Sequence, residues 1–238
     1  MKVLAWNCQG LACAPTIHPL WSLNRLHKPV IIFLSKTKIQ PAKICLVLKK
    51  IGFSSCVQIP SIGLNGGLFL AWKNEVDLEP IKQDAQSDHM YGLLWFSPSA
   101  LDVFFCVCSL SASFIACLLG ASIWNWQLLS KFLAFTWEFY FNSIHVASKK
   151  SGGRAYGSQF HCSFEDFVHS NGLIDLGFNG NKFTRSNHKH GIGNIKERLD
   201  KGLANRDWVL LYPKSLINHL PATNSDRYPL LLSLKGSY

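Results

Sequence analysis

Three short polar runs, far apart in the chain, each border an apolar stretch. Asn7 breaks the run at residues 3–6 inside "LAWNCQGL", Ser35-Lys36-Thr37-Lys38 follows "PVIIFL", and Ser225-Asp226-Arg227 precedes "YPLLLSL". Cationic side chains attract phosphate, and an amide or carboxylate at a strand end can orient a ligand. Loops at one edge of a sheet commonly hold a site, so the three runs are candidates for one locus. The competing reading is that Asn7 is only the polar edge of a buried strand. Asx and Ser residues cap turns more often than they bind ligands. A second group, Lys182, Arg185, Lys189, Lys196 and Arg198, could contact a nucleic-acid backbone, with binding steeply dependent on salt.

Positioning these residues requires strands and helices in a definite order. Residues 3–6 and 29–34 read as strands, the second fully buried, and residues 19–27 between them have helical spacing through Leu20, Leu23 and Leu26. This strand–helix–strand opening is of the α/β kind. Residues 43–52 read as a short amphipathic helix closed by Gly52. Residues 65–73 read as a turn entering a strand, and 91–96 and 103–107 as further strands. A helix is expected at 160–171, then short strands at 173–176, 182–185 and 198–203 among Gly- and Asn-rich turns, and a final strand at 228–234. The mixture points to layered sheets rather than a purely parallel doubly wound fold.

The 238 residues suit one large domain, and 48% hydrophobic with 16% charged residues excludes a disordered chain. The net charge is +10, of which +6 comes from residue 149 onward, where 13 Lys+Arg face 7 Asp+Glu. That asymmetry favours a polyanion-binding face near the C-terminus, with a solvated basic surface as the alternative. The eight cysteines show no C-x-x-C spacing and no matching histidines, so reduced, mostly buried thiols are expected rather than zinc. The apolar run before Asn7 is too short for a signal peptide, which leaves a nuclear or cytoplasmic location as the expectation. Residues 103–130 contain no charged side chain, long enough for a membrane span, but five serines, Asn125, Gln127 and Gly120 interrupt them. A buried strand plus an aberrant insertion is preferred there, with a membrane-associated protein as the alternative reading.

Taken in order, "WNCQGL", "FLSKTK", "GGLFLAWK", "SGGR", "GLIDLGFNGNKFTRSN", "IKERLDKGLANRDW" and "SDRYPLLL" resemble the endonuclease/exonuclease/phosphatase superfamily. The nearest likeness is the endonuclease-like domain of plant long interspersed element retrotransposons, over residues 1–95 and 151–232. The resemblance implies one domain over residues 1–238. It would be a four-layered α/β sandwich of two mixed, mainly antiparallel sheets flanked by helices, with an aberrant central segment at about 103–150. It also implies hydrolytic cleavage of phosphodiester bonds in DNA with a divalent metal, usually magnesium. In such a site a Glu and Asp residues hold or orient the metal, Asn side chains orient metal and phosphate, an Asp activates water, and a His–Asp pair stabilises the phosphate.

Carried over residue by residue, the resemblance implies that Asn7 and Asp226 are retained catalytic positions. Lys36 stands at the metal-binding Glu, and Arg227 at the His. The ancestral metal site would lie near Asn7, Lys36 and Asp226, but an ammonium in place of a carboxylate removes a ligand and sets a like charge beside the cation. Arg227 can contact phosphate but does not titrate as His does. Arg185, which replaces a Trp, together with Asn187 and Arg198, are candidate substrate-binding residues. The central Gly-Asp-Phe-Asn motif is lost in either of two ways. An ungapped alignment puts Phe139-Tyr140-Phe141-Asn142 there; the preferred alternative reads "FTWEFYFNSIHVASKK" as a helix, with the strand of the motif deleted before Ser151. Asp175, Asp200 and Asp207 read mainly as fold-supporting, with a place near the old cleft as the alternative reading for Asp200 alone. The expectation is a degenerate endonuclease domain without magnesium or cleavage. A non-catalytic remnant that binds nucleic acid weakly and a hydrolase with recruited ligands stand beside it.

Overall fold

The computed structural model describes residues 1–8, 10, 14–59, 67–76, 78–80, 92–96, 103–110, 132–138, 150–153, 168–170, 172–221 and 225–234. Along the first half run β1 (Lys2–Asn7), α1 (Ala14–His27), β2 (Ile31–Ser35), α2 (Pro41–Lys50), β3 (Ser55–Ile59) and β4 (Leu68–Trp72). There follow β5 (Leu78–Pro80), β6 (Gly92–Phe96), β7 (Val103–Leu110), β8 (Phe132–Glu138) and β9 (Lys150–Ser151). The last third holds β10 (Ile174–Asp175), β11 (Asn179–Gly180), β12 (Arg185–Ser186), β13 (Lys196–Glu197), β14 (Lys201–Ala204), α3 (Arg206–Leu211), β15 (Leu216–His219) and β16 (Leu230–Ser233).

Two mixed sheets result. The larger has the order β11-β15-β16-β1-β2-β4-β3, with β1–β2 and β11–β15 parallel and the other pairs antiparallel. The smaller runs β10-β14-β8-β7-β6-β5, with only β7–β8 parallel, and β12-β13-β9 form a short antiparallel ribbon. The period-2 alternation of a strand explains how β1 serves two cores. Val3 and Ala5 face a core shared with Phe33, Leu70, Leu78, Ala204 and Trp208, which joins the two sheets. Leu4 and Trp6 face the opposite side, against Leu20 of α1 and Ile44 and Leu48 of α2. Each of the Val, Leu, Ile and Phe side chains among these, fully removed from water, contributes about 1.5–3 kcal/mol. Because both faces are covered, β1 and β2 read as unbroken apolar runs.

Several expectations need correction. Helix α1 starts at Ala14 and passes through Pro19, and Leu26 is 75% exposed while Leu20 is buried. An i, i+3, i+6 series drifts by about 60° per step around a helix, which carries Leu26 off the inward face. The helix expected across 135–150 is not there at its start: β8 runs to Glu138, pairing antiparallel with β14 and parallel with β7. Main-chain partners on both sides outweigh the helical spacing of Trp137, Phe141 and Ile144. Residues 139–142, where the ungapped alignment puts the central motif, lie outside the described residues.

The uncharged stretch at 103–130 begins with β7 inside the smaller sheet, and residues 111–130 lie outside the described residues. Among the described residues no helix is long and apolar enough to cross a membrane. Of the helix expected at 160–171, only residues 168–170 are described, and they are helical. The "SGGR" run has a structural cause: Gly152 takes φ +79, and a Cβ there would collide with the carbonyl of Asn194, beside the β9–β13 pairing.

Candidate functional site

The register of β1 and β2 places Asn7 opposite Ser35, so the two parallel strands end at the same edge. Since β16 is antiparallel to β1, the chain entering it brings Ser225, Asp226 and Arg227 to that edge. The join is held by polar contacts. The Trp6 indole donates to the Arg227 carbonyl at 3.3 Å, the Ser225 hydroxyl donates to the Asn7 carbonyl at 3.4 Å, and the Cys8 amide donates to the Ser35 carbonyl at 3.1 Å. The ribbon adds a third wall. Arg185 bridges Arg227, with the Ser186 amide donating to the Asp226 carbonyl at 2.9 Å and the Tyr228 amide to the Thr184 carbonyl at 2.8 Å. The three polar runs named from the sequence therefore meet, and Arg185 joins them.

Ion pairs cross-brace the edge. The Arg227 guanidinium lies 3.5 Å from the Asp200 carboxylate, both side chains buried. Arg185 reaches Asp226 at 3.4 Å and Glu197 at 2.9 Å, and Lys150 approaches Glu197 at 3.8 Å. The Thr184 hydroxyl accepts from the amides of Leu199 and Asp200 at 3.0 and 2.9 Å, fixing the turn that presents Asp200. Against this braced background the Asn7 amide stands out. Asn7 is 1% exposed, and neither its Oδ1 nor its Nδ2 has a hydrogen-bond partner among the described residues. The hydroxyls of Ser35 and Thr37, also buried, are in the same condition. Buried polar groups are almost always paired, and each orphan costs about 1–3 kcal/mol, so such a cluster marks a place shaped for something other than stability.

Lys36 takes a left-handed backbone at φ 51, as Lys38 does at φ 47. Its ammonium is pulled down to about 8 by partial burial first, then by the positive charges of Arg227 and Lys38, with Asp226 opposing. A lysine held below its ordinary 10.5 disfavours the folded state while it is charged. Folding stability should accordingly rise with pH between about 8 and 10.5. Denaturant midpoints measured across that window should rise for the native chain and lose this component in Lys36→Met. An equal slope in both would show that Lys36 is not the titrating group.

The donor set that the described residues supply at this edge does not fit a divalent cation. Among the described residues no three His, Cys, Asp or Glu side chains converge. The carboxylates at the edge lie against Arg185 and Arg227, and the positive charges of Arg227 and Lys38 add to burial in lowering the Lys36 ammonium.

The other residues singled out from the sequence sit as follows. Asn187 ties its own loop, donating to the Gly193 carbonyl at 2.8 Å and accepting from the Ile195 amide at 2.9 Å. Arg198 is buried, paired with Asp175 at 2.8 Å and lying over the Phe178 ring at 4.5 Å. Asp175 also accepts from the Gly177 amide, and Asp207 sits in the first turn of α3, whose N-terminus Asn205 caps through the Trp208 amide. Lys182 and Lys189 are exposed and Lys196 is half-buried, all on or beside the β12–β13 hairpin. Sequence reasoning missed Glu197 and the Thr184 hydroxyl, and it named Ser35 and Thr37 only as members of a polar run, without their burial. Their only signal was adjacency to Arg198, Arg185 and Lys36, which acquires meaning once β12, β13 and the ends of β1 and β2 are seen together.

No protein-family model and no curated protein matches the chain. Solved structures do. The endonuclease domain of TRAS1, a telomere-specific non-LTR retrotransposon, superimposes with a TM-score of 0.68 at 12% identity, covering 98% of each chain. The 3′ phosphatase NExo from Neisseria, bound to product DNA hairpin, gives 0.65 at 16% identity and 99% of each chain. The AP endonuclease LMAP from Leishmania major gives 0.68 at 14% identity, covering 99% of this chain and 88% of that one.

Proposed function

From a chain that has the endonuclease/exonuclease/phosphatase fold, we propose a domain that holds a nucleic-acid phosphate at the Asn7–Lys36–Arg227 edge without hydrolysing it and without magnesium. The observation that carries this reading is Lys36. It follows β2, the strand paired with the Asn7 strand, in a field shared with Arg227, Lys38, Asp226 and Arg185. An ammonium there offers a phosphate oxygen a charge-assisted hydrogen bond, and the buried Asn7 amide can donate a second. Hydrolysis, by contrast, needs an activated water. A guanidinium at position 227 does not relay a proton as an imidazole does, and Asp226 and Asp200 are engaged by arginines. Lys182, Lys189 and Lys196 extend the positive surface along the hairpin, where a backbone could continue. DNA is the proposed partner because nuclease-type domains of this fold, and a phosphatase bound to a DNA hairpin, are its structural neighbours.

Two measurements test the reading. Purified chain incubated with supercoiled plasmid and magnesium should leave the plasmid supercoiled. Nicking that disappears in both Asn7→Ala and Asp226→Ala would overturn the non-cleaving part. In filter binding, DNA should be retained at low salt, with affinity falling by about 0.9 log units per log unit of salt for each phosphate contacted. Lys36→Ala should weaken retention at every sequence tested. No affinity at low salt would overturn the binding part.

A further inference from the structure

Outside that edge, one pair of reactive side chains has no role in anything described above. Cys45 lies on α2 and Cys56 on β3, and their Sγ atoms are 3.0 Å apart. The strand β3 is the terminal strand of the larger sheet, and Cys56 lies opposite Ala71 on the face covered by α2. Cys45 also reaches toward the Gln58 side-chain oxygen at 3.7 Å, and Cys56 and Gln58, two apart in a strand, share a face. The two sulfurs thus meet in the seam between helix and edge strand. Both residues are partly exposed, so a small oxidant can reach them, whereas Cys8 is buried.

We infer that Cys45 and Cys56 form a reversible disulfide that fastens α2 to β3. A disulfide S–S bond is about 2.05 Å, so closure asks for a movement of only about 1 Å at the sulfurs. The co-reactant is a small-molecule disulfide such as oxidised glutathione. One protein thiolate attacks it, its S–S bond breaks, and one small thiolate leaves. The second protein thiolate then attacks the protein-bound sulfur of the mixed disulfide and expels the other small thiolate. Two protein thiols lose two protons and two electrons, and the reagent, reduced to two thiols, takes up both. Burial and the neighbouring Cys45 push the Cys56 thiol up to about 11, so the step that uses its thiolate speeds up as pH rises. The spacing of the two cysteines matches no redox motif; the tight turn between α2 and β3 is what brings them together.

The test is peptide mapping of the full chain after treatment with oxidised glutathione. Trypsin separates Cys45 and Cys56 into the peptides 44–49 and 51–73, each with one cysteine. The expected result is a cross-linked 44–49/51–73 pair that a reducing thiol returns to two free peptides, absent in Cys45→Ser and in Cys56→Ser. The oxidised chain should also melt several degrees higher, because the cross-link closes a short loop in the unfolded state. Recovery of the two peptides unlinked, whether free or each carrying one glutathione, would overturn the inference. Mapping the native sequence keeps the test independent of how well either serine variant folds, and neither outcome depends on DNA binding.

Discussion

Truncating Asp200 to alanine is expected to cost about 3–5 kcal/mol of folding stability. Asp200 is 1% exposed, and its carboxylate lies 3.5 Å from a guanidinium whose own side chain is 6% exposed. Removing the carboxylate leaves the Arg227 charge buried beside Lys36 and Lys38, with less to offset it. Arg227→Ala removes a guanidinium from the buried Asp200 carboxylate and should also destabilise. The double variant removes both desolvated charges and should be more stable than the sum of the single losses, giving a coupling of about 1–3 kcal/mol. Urea unfolding of the four proteins measures this directly. Additive losses would mean that the two residues act independently. The consequence for the site is that Arg227 is held by a buried carboxylate, so a ligand meets a guanidinium already fixed in place.

Asn7→Leu should do the opposite, raising stability by about 1–3 kcal/mol while weakening phosphate binding. Leucine keeps the branched outline of asparagine but has no polar atom, and both polar atoms of the Asn7 side chain are buried without a partner among the described residues. A residue that stabilises when made apolar is one whose polarity serves a ligand. A loss of stability of the same size would show that the amide is satisfied within the fold. Filter binding on the same variant supplies the second half of the result, since a purely structural asparagine would leave retention unchanged.

Much of the frame was legible because its causes are local. Residues 3–6 and 29–34 announce strands through unbroken apolar runs, which only a sheet covered on both faces produces. Gly52, at φ +96 just past α2, closes the helix where the sequence suggested. What failed was periodicity in isolation. The spacing of Trp137, Phe141 and Ile144 reads as a helix, yet residues up to Glu138 are claimed by strands contributed from 103–110 and 201–204, which no local window contains. At the candidate site, Asn7, Lys36, Asp226 and Arg227 could be picked out because each borders an apolar run. Arg198 shows the opposite situation: its type and position suggested phosphate, and the fold engages it with Asp175 and Phe178. The pairing of Cys45 with Cys56 was invisible for a similar reason, since it depends on how a helix folds back on an edge strand.

The placement of β1 between β2 and β16 has a consequence for how the molecule comes into being. Of these three strands β1 leaves the ribosome first and can pair with β2 at once, but its other edge waits for residues 230–233, more than two hundred positions later. The amide of Leu234 closes the register by donating to the Met1 carbonyl at 2.8 Å. Contacts of such separation slow folding and leave an apolar strand edge open during synthesis. A nascent chain stalled before β16 would hold Asn7 and Lys36 in a half-built sheet, without Asp226 or Arg227. Premature termination therefore removes the phosphate-binding edge and exposes an aggregation-prone strand in the same event.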